Sequence, residues 1–233
     1  MEINHRQARS AATQRALMHA AEKLIAERGI ENVSIRDIVS TAGQKNESAL
    51  QYHFKNLKGL INAIHTTRSI EIQNKRAELL ARLLTMQDQP GLRQICTLMV
   101  QPVFELAQQS AEFRRYIKAF GHELALIETS ALAMAESQGG GGVSGQQLAV
   151  LLKGVLTHLD ADAYRCRMES AVRLCSASMA HQAAQKNAFR GPEALLFFNN
   201  LIDALVGLLG AAESAETKAS RAILRTSRNG KNN

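Results

Sequence analysis

Apolar positions in the first quarter of this chain repeat at helical spacing. Leu17, Ala21, Leu24 and Ile25 mark one segment; Ile35, Ile38, Val39 and Ala42 mark a second at i, i+3, i+4 and i+7. The spacing predicts a helix over 13–28, stopped by Gly29. A short helix follows, with Ser34 as its N-cap and Asp37 as the acid of a compact capping box. Gly43 stands where the chain must leave that helix, a position that favours a residue free to adopt positive φ. The next short helix has only Leu50 and Phe54 as clear anchors, and Asn46 is placed to cap it. Asn56 then caps a long helix. Its Leu57, Leu60, Ile61 and Ile64 close the N-terminal core, and its Ala77, Leu80, Leu83 and Leu84 belong to a second one, so one helix serves two cores.

The rest of the chain reads as helices without strands, an all-α fold. Asp88-Gln-Pro-Gly91 breaks the pattern, and a helix bent near Pro102 follows. Ala111 to about Leu126 reads as another, with Phe113, Tyr116, Ile117 and Phe120 on one side. The run Gly139–Gly142 has no strand before it and no following Gly-Lys-Ser/Thr, so it reads as a flexible interhelical loop, not a phosphate cradle. Leu148, Leu151, Leu152, Val155 and Leu156 form the next helix. Asp160 or Asp162 can cap the one after it, which runs to about Gln185. The last strong helix starts at Gly191-Pro192 and is apolar over most of its circumference. A wholly internal position and a homodimer interface both account for that.

Charge adds direction. The net charge is +7, and it gathers at the ends: nine Lys/Arg against six acids through Lys58, and five cations with no acid after Glu216. A polyanion can be met at either end, although a frayed, solvated tail is the simpler expectation for the C-terminal group. Cys96, Cys166 and Cys175 include no C-x-x-C, which disfavours a disulfide framework or structural zinc and points to a reducing cytoplasm. The N-terminus has no signal-like apolar run. No segment holds about 18 uninterrupted apolar residues, so no membrane partner is expected.

The exposed residue types around the second short helix suit DNA. Lys45, Lys55 and Lys58 can neutralise phosphates; Ser48, Tyr52 and the helix N-terminal amides can bond phosphate oxygens. Gln51 can pair bidentately with adenine, and Glu47 can accept from cytosine N4 or simply cap. On pattern alone, two packed helices with a polar face explain the segment equally well.

The motifs Ala26-Glu-Arg-Gly29, Val33-Ser-Ile-Arg-Asp-Ile38, Ala42-Gly43 and Tyr52-His-Phe54, followed by Lys58, resemble the DNA-binding domain of TetR-type transcriptional regulators from about Thr13 to Ile64. Between Gly43 and Phe54 the chain is one residue longer than the common pattern, and Ala49 stands where relatives often carry a hydroxyl. The register of base contacts is therefore open. The resemblance implies a flexible arm over 1–12, a helix-turn-helix DNA-binding domain over 13–64, a helical effector-binding and dimerisation domain over 65–212, and a flexible basic tail over 213–233. Arg6 and Arg9 lie in the arm.

The DNA-contacting candidates are Ser34, Arg36, Lys45, Asn46, Glu47, Ser48, Gln51, Tyr52, His53, Lys55 and Lys58, with Gly43 as the turn. The resemblance also implies a cytoplasmic, prokaryotic, nucleoid-associated homodimer, a repressor of a palindromic double-stranded DNA operator, released by an effector. Dimer candidates are Val172, Cys175, Met179, Phe197, Phe198, Leu201, Ile202, Leu205, Leu208 and Leu209. Phe104, Phe113, Tyr116, Phe120, Met134, Tyr164 and Met168 are candidate walls for a small, largely apolar effector, with Tyr116, His122 or Tyr164 as polar contacts. At helical spacing such residues are more often plain core.

No cofactor or metal is expected. A helical enzyme is the first alternative: His122-Glu123, and His158 with Asp160 and Asp162, offer acid-base groups but match no metal or nucleophile motif. The second is a helical module that binds another protein.

Overall fold

A computed structural model of the chain describes residues 2–87, 89–137 and 141–229. All regular structure among them is helical: α1 (Glu2–Arg28), a 3₁₀ turn (Ile30–Asn32), α2 (Ile35–Thr41), α3 (Ser48–Phe54), α4 (Leu57–Met86), α5 (Leu92–Gln109), α6 (Ala111–Phe120), α7 (Glu123–Leu126), α8 (Ala131–Ser137), α9 (Gly142–Val155), α10 (Ala161–Ala184), α11 (Gly191–Gly210) and α12 (Ala215–Asn229).

Two apolar cores share α4. The N-terminal core gathers Leu17, Leu24 and Ile25 of α1, Ile38 and Val39 of α2, Leu50 and Phe54 of α3, and Leu60 and Ile64 of α4. Ala119 and Phe120 of α6 complete it. The larger core takes Leu79 and Leu80 from the far end of α4 and is otherwise built from α5, α6, α9, α10 and α11, with Phe189 between the last two. Leu83 packs against that core, whereas Ala77 and Leu84 face solvent.

Three expected segments differ. Of the arm expected over 1–12, residues 2–12 are part of α1, because Arg6 to Thr13 contain no glycine or proline and extend a helix already anchored at Leu17, while Met1 lies outside the described residues. The basic tail is also helical over Ala215–Asn229, and residues 230–233 lie outside the described residues. Arg221 donates to Asp160 Oδ1 and Glu213 Oε2, each at 2.6 Å, and Arg225 reaches Asp160 and Asp162. Those cations answer acids of this chain and draw the Asp160 carboxyl well below its ordinary range, Arg221 first. The helix expected over 111–126 breaks at Gly121 and resumes as α7. Of the glycine run, Gly139 and Gly140 lie outside the described residues, and Gly142 already opens α9.

Local signals hold where they were sharp. Asn56 Oδ1 accepts from Gly59 N at 2.8 Å, Asp160 Oδ1 from Ala163 N at 2.9 Å, and Pro192 sits at the start of α11. By length and composition α11 is apolar enough to cross a membrane, yet its Leu201, Ile202, Leu205 and Leu209 belong to the larger core.

Candidate nucleic-acid interface and ligand cavity

Ser34 and Asp37 fix the start of α2 reciprocally. Asp37 N donates to Ser34 Oγ and Ser34 N to Asp37 Oδ2, both at 3.1 Å, and these bonds from Ser34 hold the carboxyl below its usual range. Gly43 takes φ 68°, and Gln44 N donates back to Val39 O at 3.0 Å, turning the chain towards α3. Leu50 and Phe54 then point α3 into the core, leaving Glu47, Ser48, Gln51 and Tyr52 in solvent, Tyr52 by 77%. Arg36, Lys45, Lys55 and Lys58 are exposed around them.

The start of α3 departs from expectation. Asn46 Oδ1 accepts from Ser48 N at 2.9 Å, Ala49 N bonds Asn46 O and Leu50 N bonds Glu47 O, so these amides are occupied within the chain. Glu47, not Asn46, occupies the N-cap position, and its side chain makes no capping bond. His53 is only half-exposed, because its Nδ1 lies 3.3 Å from Gln14 Nε2 of α1.

The exit from α3 carries two features that sequence reading missed. Lys55 has φ 68° and ψ −46°, and Asn56 N donates to Phe54 O at 2.8 Å. This is a positive-φ γ-turn, a strained conformation for a side-chain-bearing residue. It places α4 so close that a Cβ at Gly59 would lie 1.9 Å from the Phe54 carbonyl oxygen. Only glycine fits there.

Polar ties fasten this domain to the body. Glu22 of α1, 1% exposed, receives both Nε and Nη2 of Arg68 at 2.8 Å, and Glu71 takes the third guanidinium nitrogen. The Arg68 pKa is raised: burial lowers it, but its bonds to the Glu22 and Glu71 carboxylates outweigh that. On the other side, His19 Nε2 lies 2.9 Å from Glu112 and 2.7 Å from Arg115 of α6.

A cavity of about 410 Å³ opens in the body between α4, α5, α6, α7, α8, α9 and α10. Tyr116, Phe120, Tyr164 and Met168 line it as expected. Phe104 and Phe113 are instead buried core, Phe104 stacked near Phe189 and Phe198, and neither they nor Met134 belong to the wall. His122 is not on the wall either. Val172, Cys175 and Met179, expected at an interface, face the cavity: an apolar stripe of helical period does not reveal what lies opposite it. Burial pushes the Cys175 thiol up to about 12, with Cys96 adding to the shift.

The other interface candidates also turn inward. Leu201, Ile202, Leu205 and Leu209 are buried within the chain, and Phe197, Phe198 and Leu208 pack half-buried against the same core. The outer side of α11 presents Leu195, Leu196, Asn200, Asp203, Ala204 and Gly207.

Sequence reading missed His65 and Arg76, cavity residues on the same face of α4, because both were hidden in a helix read by its apolar positions. His65 Nδ1 lies 3.3 Å from the Tyr116 hydroxyl, and its Nε2 lies 3.3 Å from Glu123 Oε2. Burial lowers its pKa, favouring the neutral ring at neutral pH. Phe120 both lines the cavity and belongs to the N-terminal core, so the cavity and the helix-turn-helix share a side chain. Among the described residues, no cluster of three or more His, Cys, Asp or Glu is placed to hold a metal.

Residues 17–64 match the family model of the bacterial regulatory proteins of the tetR family. The fold is similar to that of a TetR family transcription regulator from Marinobacter aquaeolei VT8, with a TM-score of 0.54 and 16% identity over 85% of this chain and 97% of that one. Salmonella enterica GusR aligns over 85% of this chain and 96% of its own at 19% identity, with a TM-score of 0.47. No curated protein matches the chain. Residues 17–64 are thus similar to the tetR family, and the fold, a small N-terminal helical unit followed by a larger helical domain, is similar to that of the Marinobacter regulator.

Proposed function

We propose that this protein is a sequence-specific, DNA-binding transcriptional regulator: a cytoplasmic homodimeric repressor whose α3 helices enter successive major grooves of a palindromic operator. The observation that carries the reading is the exposed face of α3, with Gln51, Tyr52 and Ser48 flanked by Lys45, Lys55 and Lys58, on a domain matched to the tetR family. Gln51 supplies base readout and the lysines supply phosphate contacts. Pairing follows from the family resemblance. The outer sides of α10 and α11, where Ala177, Leu196, Ala204 and Gly207 allow close approach, are its natural seat.

An effector in the cavity releases the DNA in this reading. Phe120 and the α4 face bearing His65 touch both the ligand space and the N-terminal core, so a ligand that favours one tilt of α4 and α6 moves the helix-turn-helix with it. The test is to incubate the full-length protein with sheared genomic DNA and sequence what it retains. A recurring inverted repeat, its half-sites about one helical turn or a multiple apart, is expected. Retention without any recurring sequence contradicts specific recognition.

A further inference from the structure

Two short helices form part of the cavity wall. Leu124 of α7 and Leu132 and Ala135 of α8 line the space, while Leu126, Thr129, Ser130 and Ala133 of the same stretch are exposed, Leu126 by 73%. The stretch is therefore a wall one layer thick. At four and seven residues, neither helix holds its shape alone. Both pack on α10, and one ion pair of that helix fastens them there. Arg173 donates to the carbonyl oxygens of Leu124, Ala125, Ile127 and Thr129 at 3.4, 3.1, 2.9 and 2.8 Å, at the end of α7 and in the turn after it. Glu169 accepts from Ser130 Oγ, Ala131 N and Leu132 N at 2.9, 2.6 and 3.0 Å, where α8 begins. Arg173 Nε also donates to Glu169 Oε1 at 3.2 Å. A cation thus meets the carbonyl end of one helix and an anion the amide end of the next.

We propose that α7 and α8 are the lid of the cavity and that Glu169 with Arg173 is its latch, so that small molecules enter the space by passing this stretch when it lifts from α10. The other helices lining the cavity are longer and supply buried side chains to the two cores, as Ile95, Ile117, Leu152 and Met168 do. Moving one of them opens a core. Leu132, by contrast, only packs half-buried against the larger core from outside. Lifting α7 and α8 therefore breaks the latch bonds and exposes little apolar surface, and local opening follows such a path. The latch lies at the rim, since Val172, Cys175 and Ser176 of the same helix face the cavity. The inference rests on the cavity being a ligand space.

Two thiols make the lid measurable without an effector, because Cys175 faces the cavity and Cys96 is buried in the larger core. N-ethylmaleimide is added to the full-length protein without DNA, and labelling of each cysteine is timed by peptide mass spectrometry. In Glu169→Gln and Arg173→Gln, Cys175 is expected to react at least ~10-fold faster than in the wild type, the effect of one charge-assisted hydrogen bond no longer opposing the opening. Cys96 should keep its wild-type rate. Arg173→Lys, which retains the charge without the fork, should give a rate in between. Should Arg173→Gln not fold, Glu169→Gln, which keeps the shape of the side chain, decides the matter. Labelling of Cys175 no faster in Glu169→Gln than in the wild type overturns the inference. Equal acceleration at Cys96 also overturns it, since the whole core has then loosened. Both results leave the effector reading standing, because the labelling involves neither an effector nor DNA.

Discussion

Removing the charge of Glu22 should loosen the N-terminal domain from the body more than any other single polar change there. In Glu22→Gln the shape is kept, but the buried guanidinium of Arg68 loses a bidentate anion at 2.8 Å and is left with Glu71 at 3.0 Å as its one carboxylate partner. Breaking a buried pair from one side costs about 3–5 kcal/mol. The surviving Glu71 contact and the remaining amide oxygen offset part of this, leaving about 2–3 kcal/mol. For a chain of this size that lowers Tm by roughly 5–10 °C. Glu71→Gln is the comparison, because its side chain is 38% exposed and makes an i,i+3 pair on one helix. Such pairs are worth about 0.5 kcal/mol, or roughly 1–2 °C. Thermal unfolding followed by far-UV circular dichroism reads both. Equal losses in the two variants would refute the view that Glu22 is the anchor.

Gly59→Ala forces a Cβ to within 1.9 Å of the Phe54 carbonyl; a loss of about 2–4 kcal/mol in denaturant unfolding is expected, with wild-type stability contradicting it. Glu169 caps α8 by accepting from Ala131 N and Leu132 N; burial raises its pKa, but those bonds, Ser130 and Arg173 together bring it down to about 2. A depressed carboxylate contributes stability above its unfolded pKa of 4.5 and loses it as pH falls towards 2. Amide exchange in α8, corrected for intrinsic rates, should therefore accelerate over that window, and Glu169→Gln should exchange fast already at neutral pH. Gln51→Ala should flatten discrimination among operator variants, while Lys58→Ala weakens all of them alike; the opposite assignment would mean that α3 lies in the groove the other way round.

What the sequence made legible was local. Ser34 with Asp37, Gly43, Asn56 and Pro192 act on backbone within a few residues, and each does what its chemistry implies. What it concealed depends on distant partners. Gly59 looks like an ordinary weak helix residue until the Phe54 carbonyl is beside it. Arg221 and Arg225 look like a solvated tail until Asp160 and Asp162 meet them. Val172, Cys175 and Met179 show an apolar stripe of the right period, but a cavity and a partner helix ask for the same stripe. Glu22 and Arg76 carry no local signal in the sequence, yet both are buried, one as an interdomain anchor and the other in a cavity wall.

The central claim, that α3 and the lysines flanking it bind DNA, is tested most directly by the salt dependence of affinity for the retained duplex. With Lys45, Lys55 and Lys58 on each of two protomers meeting phosphates, log K should fall with log salt at a slope of about −5. Replacing the three lysines with glutamine should flatten that slope by several units without unfolding the protein, since all three are exposed. A slope near zero, or one unchanged by the triple substitution, would contradict the account.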